Sequence, residues 1–101
     1  MYKDVIRYQL ADGTSQAQLL KVAGDIIESW MNKQPGFIRW EIHKDTNDKE
    51  TYTDIVYWQS EQDAKNSEKE MANIPNADAW FSCYKEGSIN SQNLQQVGSF
   101  E

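Results

Sequence analysis

The segment from Phe37 to Trp58, FIRWEIHKDTNDKETYTDIVYW, contains two runs typical of β-strands, joined by a polar turn. Phe37–Lys44 alternates between two faces, with one set formed by Ile38, Trp40 and Ile42 and the other by Phe37, Arg39, Glu41 and His43. Thr51–Trp58 is rich in β-branched and aromatic residues, which favour strands. Residues 45–50 are polar and have the length of a hairpin loop. The segment therefore predicts an antiparallel β-hairpin.

An amphipathic helix is predicted on each side of this hairpin. Ser15, with Gln18 three residues later, matches a capping box and predicts the start of the first helix. Its apolar stripe comprises Leu19, Leu20, Ala23, Ile26, Ile27, Trp30 and Met31. The helix should end at Gln34-Pro35-Gly36, because proline cannot continue it. Ser60 predicts the start of the second helix, which should run to about Ile74 with a thin apolar stripe.

Further strands are predicted near both ends of the sequence. Val5–Leu10 alternates as a first strand, Asn76 is expected to cap a short helix that contains Trp80, and a last strand is expected within Gln92–Phe100. The resulting order is β-α-β-β-α-β. Short connections and right-handed crossovers then favour a ferredoxin-like α+β fold, a four-stranded antiparallel sheet with the helices on one face.

The size and composition of the chain exclude several classes of protein. With 101 residues we expect a single domain over residues 1–101, because a second core would not fit. A formal net charge of −6 argues against binding to nucleic acid or to an anionic membrane surface. The sequence shows neither a membrane-spanning apolar run nor the apolar stretch of a signal peptide. The single cysteine and the absence of zinc-ligand spacing predict a cytoplasmic protein without a metal site.

The predicted layout leaves one face of the sheet without helices. The third strand is aromatic on both sides, with Tyr57 on one face and Tyr52 and Trp58 on the other. In a monomer the uncovered face of an antiparallel sheet is usually polar. The mixed composition therefore predicts that a partner covers part of the open face.

Three short motifs carry a resemblance to a known family. Pro35-Gly36-Phe37 opens the second strand, Val56-Tyr57-Trp58-Gln59-Ser60 leads from the third strand into a capped helix, and Trp80-Phe81 follows about twenty residues later. With the order of elements, they make the chain similar to the antibiotic biosynthesis monooxygenase-like proteins of the dimeric α+β barrel superfamily. The resemblance implies a homodimer whose sheets pack face to face and a pocket in each subunit between sheet and helices.

The family contains several activities, so the resemblance alone does not choose a reaction. Its members include cofactor-independent oxygenases of aromatic polyketides, quinol oxygenases and haem-degrading oxygenases. The haem-degrading members use an asparagine on the first strand and a tryptophan and a histidine on the second helix. Here the helix from Glu61 to Ile74 has neither Trp nor His, and the first strand has Arg7 and Tyr8 but no Asn. We therefore expect neither haem nor another cofactor.

Aromatic side chains are the candidates for lining the pocket. The set comprises Tyr8, Trp40, Trp58, Trp80 and Tyr84, which would hold a small, flat aromatic ligand. Packing in the core is the alternative role for these tryptophans, and it is the expected role of Trp30 on the first helix. A buried indole N–H needs a partner, so at least one should reach a polar group or a cavity.

Three polar residues of the second strand are the catalytic candidates. Arg39, Glu41 and His43 follow each other at two-residue steps, so their side chains line up about 7 Å apart on one face. They would bind an anion or shuttle a proton. The alternative is a hydrogen-bonded network at a dimer interface or at a solvated strand end.

Two functions are consistent with the sequence. The first is a small-molecule-binding protein resembling cofactor-independent monooxygenases that act on flat aromatic or quinol-type substrates. The second is a non-catalytic dimeric module that binds a ligand or a protein partner. A cavity of roughly 300 Å³ or more with inward polar groups would favour the first, and a fully packed interface between helices and sheet would favour the second.

Overall fold

The computed structural model describes all residues, 1–101, and contains four strands and three α-helices. In chain order they are β1 (Tyr2–Gln9), α1 (Gln16–Ser29), β2 (Phe37–Lys44), β3 (Thr51–Trp58), α2 (Glu61–Lys69), α3 (Ala77–Phe81) and β4 (Asn90–Gln95). The strands form one antiparallel sheet in the order β2-β3-β1-β4, with the helices on one face. The ferredoxin-like α+β fold is therefore confirmed.

The hairpin and both helix starts are as the sequence predicts. β2 and β3 have the predicted bounds. The Ser15 hydroxyl accepts a hydrogen bond from the backbone N–H of Gln18, and the Ser60 hydroxyl accepts one from that of Asp63. Each bond satisfies a backbone donor that the helix itself leaves free, which fixes where the helix begins.

Other element limits differ from the prediction. β1 begins at Tyr2, because its first residues still pair with β3 and β4. The two long helices end early, at Ser29 and Lys69, and each is followed by a turn of 3₁₀-helix (Met31–Lys33 and Met71–Asn73). β4 is confined to Asn90–Gln95, since its last residue already pairs with Tyr2 at the start of β1.

The predicted faces of Phe37 and Ile38, at the start of β2, are wrong because a β-bulge interrupts the alternation there. Phe37 lies opposite Trp58 but Arg39 lies opposite Tyr57, so Ile38 is the extra residue. Phe37 therefore faces the helices, where its ring packs edge-on against Trp58 at 5.7 Å, while Ile38 is 37% exposed. From Trp40 onward the alternation is as predicted.

Helix α1 supplies much of the core. Leu19, Ala23 and Ile26 are buried against the sheet, with Trp30 and Met31 just beyond the helix. Leu20, which the periodicity assigned to the same stripe, is 49% exposed and lies at its edge. Asn76 also differs from the prediction, because it precedes α3 in the left-handed conformation and makes no side-chain cap bond.

Two glycine substitutions test this architecture. Gly36 has φ +80°, and a Cβ there would overlap the carboxylate of Asp63 on α2. We expect Gly36→Ala to lower the free energy of unfolding by about 1–2 kcal/mol or more. Gly24, within α1, would place a Cβ in open space, so Gly24→Ala should raise it by about 0.5–1 kcal/mol.

Urea unfolding followed by circular dichroism measures both changes. If the urea midpoint of Gly36→Ala equals or exceeds that of the unmodified chain, the turn before β2 does not approach α2 as closely as the structure shows.

Candidate functional site

A cleft of about 410 Å³ lies between the helix-facing side of the sheet and the helices. Ten of its 17 lining residues are hydrophobic, and they include Trp30, Trp40, Trp58 and Trp80. Two other depressions, of about 310 Å³ each, have only one and three hydrophobic lining residues. Size and apolar walls make the aromatic cleft the best site for a small organic ligand.

A buried carboxyl group lies at one end of this aromatic cleft. Asp54, near the middle of β3, is 1% exposed. Its two oxygens accept hydrogen bonds from the hydroxyls of Tyr8 on β1, at 2.6 Å, and of Tyr84, at 2.5 Å. The indole N–H of Trp80 on α3 donates in turn to the Tyr84 hydroxyl at 3.0 Å. Four side chains from three parts of the chain therefore form one network.

Burial is the dominant influence on the protonation of this network. It raises the pKa of Asp54, and the hydrogen bonds from Tyr8 and Tyr84 and the nearby Trp40 indole offset only part of this effect. Burial and the charge of Asp54 also raise the pKa of both tyrosines, so these remain protonated donors. Asp54 is thus a carboxyl group whose proton affinity is higher than that of an exposed aspartate.

Two indole N–H groups in the aromatic cleft have no acceptor within the protein. They belong to Trp40 and Trp58, and both nitrogen atoms are buried. An unmatched buried donor costs about 1–3 kcal/mol. Both donors are therefore free to bind an acceptor that enters the cleft.

A second carboxyl group lines the aromatic cleft close to Trp58. Burial is the main cause of the raised pKa of Asp4, and the negative charge of Glu68 raises it further. The Trp58 indole lowers the pKa of Asp4, but the two groups do not meet the geometry of a hydrogen bond. Asp4 and Trp58 therefore leave an acceptor and a donor side by side.

The structure separates the five predicted pocket residues into two groups. Trp40, Trp58 and Trp80 line the aromatic cleft. Tyr8 and Tyr84 lie behind Asp54, where their hydroxyls hold its carboxylate. Trp30, expected in the core, is buried and also contributes to the wall.

The sequence reasoning missed both aspartates. Asp54 interrupts a strand of β-branched and aromatic residues at a position that shares a face with Tyr52 and Trp58. A charged residue on the face that packs against helices needs a buried partner. An aspartate on an otherwise apolar, helix-facing set of residues was the sequence feature that could have identified Asp54. Asp4 shows the same feature on β1, but less clearly because β1 is more polar.

The three catalytic candidates of β2 lie on the opposite face of the sheet, outside the aromatic cleft. Glu41 accepts hydrogen bonds from Arg39 at 3.1 Å and from the Tyr57 hydroxyl at 2.8 Å, and its other contact is the His43 ring at 3.1 Å. The contacts to His43 and Tyr57 contribute most to lowering the pKa of Glu41, to about 2. The structure brings the three together as an exposed ionic network on the open face.

Other reactive groups give no second centre. Cys83 is buried, its thiol lies 3.3 Å from the carbonyl oxygen of Ala79, and burial raises its pKa. No group of three or more His, Cys, Asp or Glu side chains is arranged to hold a metal ion. None of the helices has the length and apolar character needed to cross a membrane.

Several solved structures share this fold. SnoaB, a cofactor-independent oxygenase from Streptomyces nogalater, superposes with a TM-score of 0.75 at 15% identity, over 97% of this chain and 94% of that one. A monooxygenase from the gene ActVA-Orf6 of Streptomyces coelicolor, solved with the ligand nanaomycin D, gives 0.69 at 17% identity, over 99% and 90%. A dimeric ferredoxin-like protein from an uncultured marine organism gives 0.66 at 14% identity, over 100% and 99%.

At these identities the superpositions establish the fold alone. No curated protein matches the sequence significantly. The sequence model of one family, described as antibiotic biosynthesis monooxygenase, matches residues 1–72, which include β1 to α2 and most of the residues that line the aromatic cleft. The chain therefore belongs to the antibiotic biosynthesis monooxygenase family.

Proposed function

We propose that this protein is a cofactor-independent monooxygenase that oxidises a flat phenol or quinol-type substrate in the aromatic cleft. The observation that carries the proposal is that the Asp54 carboxyl group and the Trp40 indole N–H lie near each other at one end of that cleft. The carboxyl group has lone pairs to spare, and the N–H has no acceptor in the protein. Family membership and the named oxygenases of the same fold support it.

Asp54 is the general base in this scheme. A carboxylate with a raised pKa is a better proton acceptor near neutral pH than an exposed one. Each of its oxygens has a lone pair beyond the one that accepts from Tyr8 or Tyr84, so it can also accept the substrate hydroxyl. The Trp40 indole N–H then donates to the substrate oxygen, where negative charge develops.

The substrate anion is electron-rich enough to reduce dioxygen directly. One oxygen atom forms a bond to ring carbon and the other leaves as water, so that a phenol and dioxygen give a quinone and water. The two hydrogens of the water come from the substrate hydroxyl and from the carbon that is oxidised. No external reductant is needed, which fits a site built from aromatic walls, carboxyl groups and indole donors.

The aromatic walls orient the ring of the substrate. The ring centroids of Trp40 and Trp80 are 5.3 Å apart, and their ring planes are tilted by 52°. Trp30, just after α1, contributes another part of the cleft wall. Flat apolar surfaces of this kind bind planar ligands by burial and by offset stacking.

The partner proposed for the open face is a second copy of this chain. Val5 and Ile55 are opposite each other near its centre, and Leu94 on β4 is 42% exposed. The Arg39–Glu41–His43 network lies beside them and offers charges of both signs to a symmetry-related copy. A protein of the same fold is described as dimeric. We infer a homodimer joined through the sheets.

Replacing the proposed base tests the reaction. We expect Asp54→Asn to lower kcat by roughly a hundredfold or more, because the amide cannot take the substrate proton. Oxygen uptake with a panel of phenols and quinols of one, two or three fused rings measures the rate. Asp12→Asn is the control, since it removes the same charge from an exposed loop.

The pH profile provides an independent check. The acidic limb of kcat/KM should have its midpoint above the ordinary aspartate pKa of 3.8, since the base works only when ionised and burial raises its pKa. No uptake with any member of the panel, or undiminished uptake by Asp54→Asn, would contradict the proposed reaction.

The dimer is tested by one charge on the open face. We expect Val5→Lys to give a monomer in light scattering at micromolar concentration, because a lysine at the centre of an apolar contact, between Lys3 and Arg7 on the same face of β1, would be buried without an acidic partner. Asn66→Lys on the exposed side of α2 adds the same charge and should remain dimeric. An unmodified chain that is monomeric would rule out the sheet-to-sheet dimer.

A further inference from the structure

The aromatic cleft contains a second carboxyl–indole pair that the chemistry at Asp54 does not use. Asp54 on β3 is diagonal to Trp40 on β2, and Asp4 on β1 is diagonal to Trp58 on β3. In both pairs an acid and an indole share the helix-facing side of the sheet. The same donor–acceptor combination therefore occurs twice along the floor of one cleft.

The spacing of the two pairs suits one flat molecule. Asp4 lies opposite Val56 and Asp54 lies opposite Ile6, so the two acids are diagonal neighbours on adjacent strands. Such diagonal neighbours are about 7–8 Å apart, with their Cβ atoms somewhat closer. A fused two-ring aromatic with a polar group at each end spans a distance of this order.

Trp58 provides the observation that points to a ligand at the second pair. Its side chain is 2% exposed, it lines the aromatic cleft, and its N–H has no acceptor in the protein. Asp4 is half-buried beside it. A hydroxyl group satisfies both residues at once, because its oxygen accepts from the indole and its hydrogen is donated to the carboxyl group.

The charges around Asp4 disfavour an anionic group at the same place. Glu68 also lines this end and lies close enough to Asp4 to raise its pKa. The one cation of the cleft wall, Lys65, is paired with Glu61 at 3.5 Å. A carboxylate on the ligand would meet two acidic side chains and no unpaired cation.

We propose that Asp4 and Trp58 form a specificity subsite that binds a hydroxyl at the far end of the substrate and rejects a carboxylate there. The subsite rests on the proposed function for its substrate, but it makes a claim about binding that does not require turnover. It restricts the substrates of the aromatic cleft to uncharged aromatics with hydroxyl groups at both ends.

Two matched probes test the subsite: naphthalene-2,6-diol and 6-hydroxynaphthalene-2-carboxylic acid, which differ only at one end. Quenching of tryptophan fluorescence at neutral pH gives each Kd. We expect the unmodified protein to bind the diol at least about tenfold more tightly than the acid, since a buried carboxylate facing Asp4 is unpaired. Asp4→Asn should bring the two Kd values within about threefold, and Asp12→Asn should leave the preference unchanged.

Trp58→Phe separates the indole donor from the carboxyl group. It keeps an aromatic ring at this position but removes the N–H together with part of the indole surface, so it should weaken diol binding several-fold while the acid stays weak. Urea unfolding of each variant checks that the fold is retained.

The possible results distinguish the subsite from the reaction. Equal Kd values for both probes in the unmodified protein, absence of binding, or a preference that survives Asp4→Asn would overturn the subsite. A preference that disappears in Asp4→Asn, together with no oxygen uptake by the unmodified protein, would support the subsite and reject the oxygenase.

Discussion

A carboxyl group buried in the middle of the sheet is the constraint on which the rest of the structure depends. Asp54 has almost no contact with solvent, so its oxygens must find donors inside the protein. One donor, Tyr8, comes from the neighbouring strand, and the other, Tyr84, from the segment after α3. The short helix α3 is thereby fixed over the sheet by polar contacts as well as by Trp80, and the cleft acquires its end wall.

The one-sided arrangement of helices gives the two faces of the sheet different roles. On the covered face, burial raises the proton affinity of Asp4 and Asp54 and encloses indole donors. On the open face the charged side chains are exposed and paired with each other. The centroid of the Tyr57 ring lies 5.1 Å from Lys3 Nζ and 4.0 Å from Arg39 Cζ. The first environment suits proton transfer to and from a ligand, and the second suits association.

Local rules in the sequence were sufficient for the fold but only partly for the candidate site. The hairpin and the helix starts follow from short-range signals in the sequence. These are the spacing of hydrophobic residues, the polar turn, and the caps at Ser15 and Ser60. The bulge at Ile38 is set by how β2 meets the end of β3, which no alternation pattern contains. Single hydrogen bonds of the network around Asp54 join residues up to 46 positions apart, so the network becomes visible only when the strands are paired. A resemblance based on turn and junction motifs likewise indicated the architecture without indicating the acids.

The fourth strand has a consequence for how a ligand enters. All six residues of β4 are exposed, and the strand pairs along one edge only, with β1. Yet Ser91 and Asn93 form part of the wall of the cleft. Within one subunit, a strand with so little buried surface has a lower local free energy of opening than the strands that contact the helices. Detachment of this edge would uncover the cleft from the side while the central strands and Asp54 stay in place, so exchange of ligands need not involve any movement of the helices.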